Sequence, residues 1–211
     1  PAHDPNDFAT GKRHGLEEIN ILNLDGTLNE NAGLFQGLER FEARAAVENE
    51  IGNRGLARGK KKHTMTLPRS QRSGTIVEPM ISTQWFVKMK PLAEPAIKAV
   101  EDGTIQILPE EWTKTYFHWL RNIQDWCISR QLWWGHPIPA WYCEQCDHIT
   151  VSREDPTACG GCGSSAIRQD DDVLDTWFSS GLWPFSTLGW PDDTLSLRRF
   201  YPTQDMETGY D

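Results

Sequence analysis

Four of the five cysteines form two C-x-x-C pairs, Cys143 with Cys146 and Cys159 with Cys162, and 12 residues separate the pairs. Each short turn can present two thiolates to one ion, and the intervening glycines let backbone amides approach the sulfurs. This spacing is typical of the two knuckles of a zinc ribbon. Because four thiolates leave no open position for water, the predicted zinc ion is structural and not catalytic.

Two disulfides, or a redox-active C-x-x-C, are the alternatives for these cysteines. Disulfides are typical of secreted proteins, whereas this sequence has no run of 18 apolar residues and does not begin with a signal peptide. From these features we expect an intracellular protein without a membrane segment. A redox motif explains one C-x-x-C pair but not two, so we expect the four cysteines to bind zinc. Cys127 lies outside the pattern and is predicted to be a core thiol.

The first eight residues place a histidine beside two carboxylates that are three residues apart: His3, Asp4 and Asp7, with Pro5 fixing the turn. Such residues often cap a helix. They could equally form a pocket in which one carboxylate binds a ligand ammonium group and the other orients a water or hydroxyl. The residues alone leave both interpretations open.

A third group of chemically useful side chains follows Asp175, where Trp177 precedes Ser179, Ser180 and Gly181. We predict a strand over 173–178 that ends in these small residues. It would place an apolar wall beside hydroxyls at the mouth of a sheet, where α/β folds bind ligands. A buried core tryptophan is the simpler alternative.

The net charge of −9 argues against a protein that binds nucleic acid over its whole surface. One stretch is nevertheless basic, and it could be either a solvated loop or a surface that faces RNA. Its members are Arg58, Lys60, Lys61, Lys62, His63, Arg69 and Arg72.

Helical and strand-like segments alternate along the chain, which predicts an α/β fold with small insertions. Apolar spacing and flanking Gly and Pro residues predict helices over about 38–53, from Pro91 to near Gly103, and from Pro109 onward. Strands are predicted over 19–24, 125–129 and 173–178. These elements would position the three groups described above.

Five long strings, in the family's order, resemble the valyl-tRNA synthetases of class I. The isoleucyl and leucyl relatives share the layout, but they differ around the paired aspartates and after Trp177. The strings cover residues 1–8, 40–44, 78–87, 125–136 and 172–190.

The resemblance implies an α/β fold that is part of a Rossmann-like class I catalytic domain with a zinc-ribbon insertion. The C-terminal part of a mixed α/β editing domain would precede it. The implied boundaries are 1–72 for the editing part, 73–142 for the return into the catalytic domain, 143–168 for the zinc knob and 169–211 for the continuation.

The resemblance also assigns an editing role to the N-terminal group. Asp7 would hold the α-amino group of a mischarged amino acid, with Asp4 and His3 beside it. A second, polar pocket is useful because threonine has nearly the shape of valine, and a hydrophobic pocket rejects its hydroxyl only weakly.

In the aminoacylation site, the resemblance implies a substrate-binding role for Trp177 and Ser180, with Trp177 beside the valine side chain. Gly209 and Asp211 would lie at the ribose of the adenylate. It leaves open which of three further tryptophans joins that pocket: Trp133, Trp134 or Trp141.

The implied activity is attachment of valine to tRNA(Val) with ATP and Mg²⁺, together with hydrolysis of mischarged Thr-tRNA(Val), by a cytoplasmic monomer. The ATP signatures His-Ile-Gly-His and Lys-Met-Ser-Lys-Ser do not occur in these residues. We therefore expect this chain to be an internal fragment that is inactive by itself.

A stand-alone zinc-ribbon module that binds RNA or protein without catalysis is the alternative function. It accounts for the cysteines and the basic stretch. It does not account for the paired aspartates or for the string around Trp177.

Overall fold

The structure is a computed structural model that describes residues 1–209, and it is a mixture of helices and short strands, as the sequence predicts. The chain divides into two compact units, residues 1–83 and the residues from Gln84 onward. The helices are α1 (Pro5–His14), α2 (Arg40–Asn53), α3 (Lys90–Glu101), α4 (Thr113–Arg121), α5 (Thr176–Ser186) and α6 (Leu195–Phe200), with 3-10 turns over Glu30–Phe35 and Glu110–Trp112.

The strands are short and form three small sheets, ordered β1-β2, β3-β8-β4 and β6-β5-β7. Every strand pair among residues 1–209 is antiparallel. Because helices and small sheets occur together, the mixed α/β class is confirmed. The Rossmann-like assignment stays a prediction. The strands are β1 (Phe86–Val87), β2 (Trp126–Cys127), β3 (Ser129–Arg130), β4 (His136–Pro137), β5 (Ala140–Cys143), β6 (Ile149–Val151), β7 (Ile167–Gln169) and β8 (Val173–Leu174).

In the first unit, the predicted strand over 19–24 is wrong in extent. Only one bridge forms there, between Leu22 and Leu28. The side chains of Asn20 and Asp25 accept the backbone N–H groups of Leu22 and Thr27, at 2.9 Å each. Such local bonds satisfy the backbone in a turn and compete with a strand ladder.

The predicted helix over 38–53 is confirmed as α2. The carboxylate of Glu39 caps its first turn by accepting the N–H of Phe41. The helix is followed by Gly55, whose φ of 68° lies in the left-handed region that favours glycine.

In the second unit, the two predicted helices after Pro91 and Pro109 are confirmed as α3 and α4, the latter preceded by a 3-10 turn. The hydroxyl of Tyr116 donates to the carbonyl of Ala96 at 3.0 Å, which joins α4 to α3. Trp119 is largely exposed, so the apolar side chains of α4 are only partly buried.

The predicted strand over 173–178 is wrong beyond Leu174. Strand β8 contains only Val173 and Leu174, and α5 begins at Thr176. The cause is Asp175, whose carboxylate accepts the N–H of Trp177 at 2.8 Å and so caps a helix. The small residues that follow extend that helix.

No helix among residues 1–209 combines the length and the apolar character that a membrane crossing requires.

Candidate functional site

The four-cysteine cluster is built on the sheet β6-β5-β7. Cys143 is the last residue of β5, and Cys146 lies in the turn that leads to β6. Cys159 and Cys162 lie in the loop before β7, where the N–H of Cys159 bonds to Ser164 and the N–H of Gly163 bonds back to Cys159. The pairing of Cys143 with Ile167 brings this loop beside the first turn.

The cluster has the dimensions of a metal site. The Sγ atoms of Cys143 and Cys162 are 3.6 Å apart, and those of Cys146 and Cys159 are 3.7 Å apart. All four lie within 4.8 Å of one another. Sulfurs held 2.3 Å from a tetrahedral zinc ion would be separated by about 3.8 Å. The four thiols are free, and the disulfide alternative is not supported.

The electrostatics of the cluster favour a bound cation. The backbone N–H of Cys162, followed by that of Gly161, lowers the pKa of the Cys159 thiol to about 6. The N–H of His148 lowers the pKa of Cys146, but the neighbouring sulfurs, Cys162 first, and burial together raise it by more, to about 12. One thiolate therefore forms readily, and further negative charge requires a cation to balance it.

The second knuckle depends on close backbone packing. A Cβ atom on Gly161 would lie 2.8 Å from Cγ of His148, so only glycine fits there. The N–H of Gly160 donates to Oγ1 of Thr150 at 3.0 Å. These contacts hold the loop against β6 and fix the positions of its two sulfurs.

At the N-terminus, Asp4 is a helix cap. One oxygen of its carboxylate accepts the N–H groups of Asn6 and Asp7, at 2.8 and 2.9 Å. Asp7 lies in the first turn of α1 and is exposed. Within the described residues, its carboxylate has no hydrogen bond or ion pair, so it is available to a cationic ligand.

His3 connects three segments of the first unit. Its Nε2 accepts the N–H of Ile21 at 3.0 Å, so the proton of the neutral ring is on Nδ1, which donates to the carbonyl of Pro79 at 2.9 Å. Both ring nitrogens are used by backbone groups. His3 therefore positions the N-terminal turn and does not offer a free nitrogen for proton transfer.

The third predicted group lies at the start of α5. Trp177 is 72% exposed, and Ser180, three residues later, is on the same face of the helix. The hydroxyl of Ser180 donates to the carbonyl of Thr176 at 2.7 Å, and its oxygen can still accept a bond from a ligand. The core alternative for Trp177 is wrong.

The three further tryptophans differ in accessibility. Trp141 is 7% exposed and packs within β5, so it has little surface for a ligand. Trp133 and Trp134 are almost wholly exposed in the loop between β3 and β4, the strands that flank β8. Gly209 is exposed and outside regular secondary structure, and Asp211 lies outside the described residues.

One half-buried junction was not predicted from the sequence. The carboxylate of Asp170 accepts Nε1–H of Trp85 at 2.8 Å, the hydroxyl of Tyr142 at 2.7 Å and the N–H of Asp172 at 2.9 Å. Burial raises the pKa of Asp170, but the bonds from Tyr142 and Trp85 lower it by more, and it lies below its usual value. Trp85 is 85 residues away in sequence, so no local pattern indicates this contact.

Comparison with known proteins identifies related sequences. Residues 6–211 match the profile of the family described as tRNA synthetases class I (I, L, M and V). All 211 residues align with Valine--tRNA ligases, at 58% identity in Symbiobacterium thermophilum, 56% in Syntrophotalea carbinolica and 52% in Petrotoga mobilis. The chain covers 23%, 24% and 24% of these three relatives, which is about a quarter of their length.

Proposed function

The chain belongs to the class I tRNA synthetases, and from this membership we propose that it is part of a ligase that attaches valine to tRNA(Val). The observation that carries the proposal is the 52–58% identity to Valine--tRNA ligases along the whole chain. Such a ligase uses ATP and Mg²⁺, and it works where its tRNA is, in the cytoplasm.

The zinc-ribbon adaptor is not favoured as an alternative. The alignment with ligases extends over the whole chain, including the N-terminal segment and the segment around Trp177, which an adaptor would not need. The cysteine cluster is therefore one component of a larger enzyme.

For aminoacylation, we assign residues 73–142 and 169–211 to the Rossmann-like catalytic domain. The exposed face of Trp177 would cover the valine side chain, and Ser180, Gly209 and Asp211 would complete the substrate-binding set. Apolar contact with an indole face favours valine over polar amino acids of similar size. The solvent-exposed position of Trp177 at the start of α5 supports this role.

For editing, we assign residues 1–72 to the C-terminal part of a domain that hydrolyses Thr-tRNA(Val). Asp7 would pair with the α-ammonium group of the threonyl ester, since a charge-assisted hydrogen bond is about twice as strong as a neutral one. Its carboxylate, which is exposed and has no partner among residues 1–209, supports this role. Asp4 and His3 would hold the turn that presents it, as their bonds to backbone groups indicate.

The cofactor of the cysteine cluster is proposed to be one structural Zn²⁺ ion. Four sulfur donors suit zinc, and a closed site gives the ion no catalytic position. When bound, the ion would neutralise the clustered thiolates and stabilise the two knuckle loops.

The proposed function is tested with the full-length protein. Valine-dependent exchange of pyrophosphate into ATP and charging of tRNA(Val) are the expected activities. Trp177→Ala should raise the KM for valine about tenfold or more. The reason is that an apolar contact between the indole and the valine side chain contributes roughly 1–3 kcal/mol to binding. Exchange that depends on isoleucine or leucine and not on valine would contradict the assignment.

A further inference from the structure

Positive charge is concentrated in one part of the first unit. Residues 51–77 contain no aspartate or glutamate, and they hold seven of the chain's 21 lysines and arginines. With 30 acidic residues against the remaining 14 basic ones, the rest of the chain carries a net charge of −16. We call residues 54–72 the basic segment. It contains Arg54, Arg58, Lys60, Lys61, Lys62, Arg69 and Arg72.

The basic segment is open to solvent. Every residue from 51 to 69 is exposed, and residues 56–68 form neither helix nor strand. A bridge between Arg69 and Ile76 closes a turn at its end, where Arg69 also donates to the carbonyl of Gly74 at 2.8 Å. The segment is therefore anchored at both ends, by α2 and by this turn, while its middle stays accessible.

Few of these charges are neutralised. Arg54 pairs with Glu50, and Lys60 pairs with Glu48. Within the described residues, Arg58, Lys61, Lys62 and Arg72 have no carboxylate within ion-pair distance. Like charges at this density repel one another, so a polyanion would stabilise the segment.

We propose that the basic segment binds the phosphate backbone of the tRNA substrate. This inference rests on the proposed function, which supplies an RNA partner. Lysine and arginine contacts to phosphates set the position and orientation of a nucleic acid without reading its sequence. Because the remaining surface is acidic and repels phosphates, this segment would also determine which face of the unit the RNA approaches.

The test compares two variants of the full-length protein that lose the same charge. The first is Arg58→Gln, Lys61→Gln, Lys62→Gln and Arg72→Gln, which removes four charges that have no carboxylate partner within the described residues. The control is Lys98→Gln, Lys114→Gln, Arg153→Gln and Arg199→Gln, four exposed cations of the second unit. Binding of a tRNA(Val) transcript is measured across a salt series, together with valine-dependent pyrophosphate exchange.

We expect the first variant to bind the transcript about tenfold or more weakly at low salt. Its plot of log K against log salt should be shallower by about 3, because each phosphate contact contributes roughly 0.7–0.9 to that slope. The control should keep the wild-type slope. Pyrophosphate exchange should be unchanged in both variants, since none of the eight substituted residues belongs to the proposed substrate-binding set.

Equal slopes for the first variant and the wild type would overturn the proposal. The proposal would also be overturned if the first variant bound phosphatidylserine-containing vesicles more weakly than wild type but bound the transcript equally well. That result would indicate a membrane partner instead. A wild-type protein without valine-dependent exchange would overturn the proposed function itself, and transcript binding with its salt slope would still decide the role of the segment.

Discussion

Arg130 and Asp175 form an ion pair that joins strand β3 to the start of helix α5. Asp175 is 8% exposed, and its other oxygen caps α5. Arg130 also donates to the carbonyls of Cys127 and Ser129, at 2.9 and 2.8 Å. The position of α5, and hence of Trp177, therefore depends on a guanidinium 45 residues earlier in the chain.

Arg130→Ala should loosen the first turn of α5. Removing Arg130 leaves the charge of Asp175 without its partner. Because 38% of the Arg130 side chain is exposed, we expect the free energy of unfolding to fall by about 2 kcal/mol, which is less than for a fully buried pair. Amide hydrogen exchange in α5 should accelerate about tenfold or more. The control is Arg168→Ala, whose surface pair with Asp171 should contribute little. Unchanged exchange in α5 would show that the pair does not hold the helix.

Purified full-length protein should contain one zinc ion per chain at the cysteine cluster. Cys143→Ser should lower zinc content and stability together, because metal binding contributes to the folding free energy of such knobs. Cys127→Ser is the matched control, since its sulfur lies outside the cluster, and it should keep the metal. Zinc content well below one equivalent in wild type, or a disulfide between any two cluster cysteines, would contradict this prediction.

The sequence predicted those features whose physical cause is local. The C-x-x-C pairs fix two sulfurs each within one turn, so the composition of the cluster could be predicted without the fold. Helix α2 was predicted from apolar spacing and from Gly55. The strand over 173–178 failed because the side chain of Asp175 caps a helix, and the apolar run around Trp177 does not distinguish a strand from a helix.

Contacts between distant residues could not be predicted in the same way. The bonds of His3 to Ile21 and Pro79 span 18 and 76 residues. Their partners are backbone atoms, which have no residue type to reveal them. The three tryptophans that are candidates for the proposed valine pocket likewise look equivalent in sequence, and only burial separates Trp141 from Trp133 and Trp134.

Because of the junction at Asp170, the free energy of unfolding should vary with pH in the acid range. Its folded pKa lies below the ordinary 3.8, so the carboxylate stabilises the fold above that pH and loses this effect as the pH falls through the folded pKa. Asp170→Asn should cost about 2 kcal/mol at neutral pH, as expected for lost hydrogen bonds to a charged group. In urea unfolding at a series of pH values, the gap from wild type should narrow below about pH 4. The exposed Asp171→Asn is the control, and a gap that stays constant with pH would refute the role of ionised Asp170.

Asp7 and Asp4 should respond differently to loss of charge, because the structure gives them different partners. Asp7→Asn in the full-length enzyme should let Thr-tRNA(Val) accumulate, since the amide keeps the shape but cannot pair with an ammonium group. The Asp4→Asn enzyme should deacylate Thr-tRNA(Val) at nearly the wild-type rate, because asparagine caps helices about as well as aspartate. Asp4→Ala should instead destabilise α1 by about 1 kcal/mol. Valine activation should be unchanged in all three variants. If Asp7→Asn deacylates Thr-tRNA(Val) at the wild-type rate, Asp7 does not bind the ammonium group and is only a favourable charge in the first turn of α1.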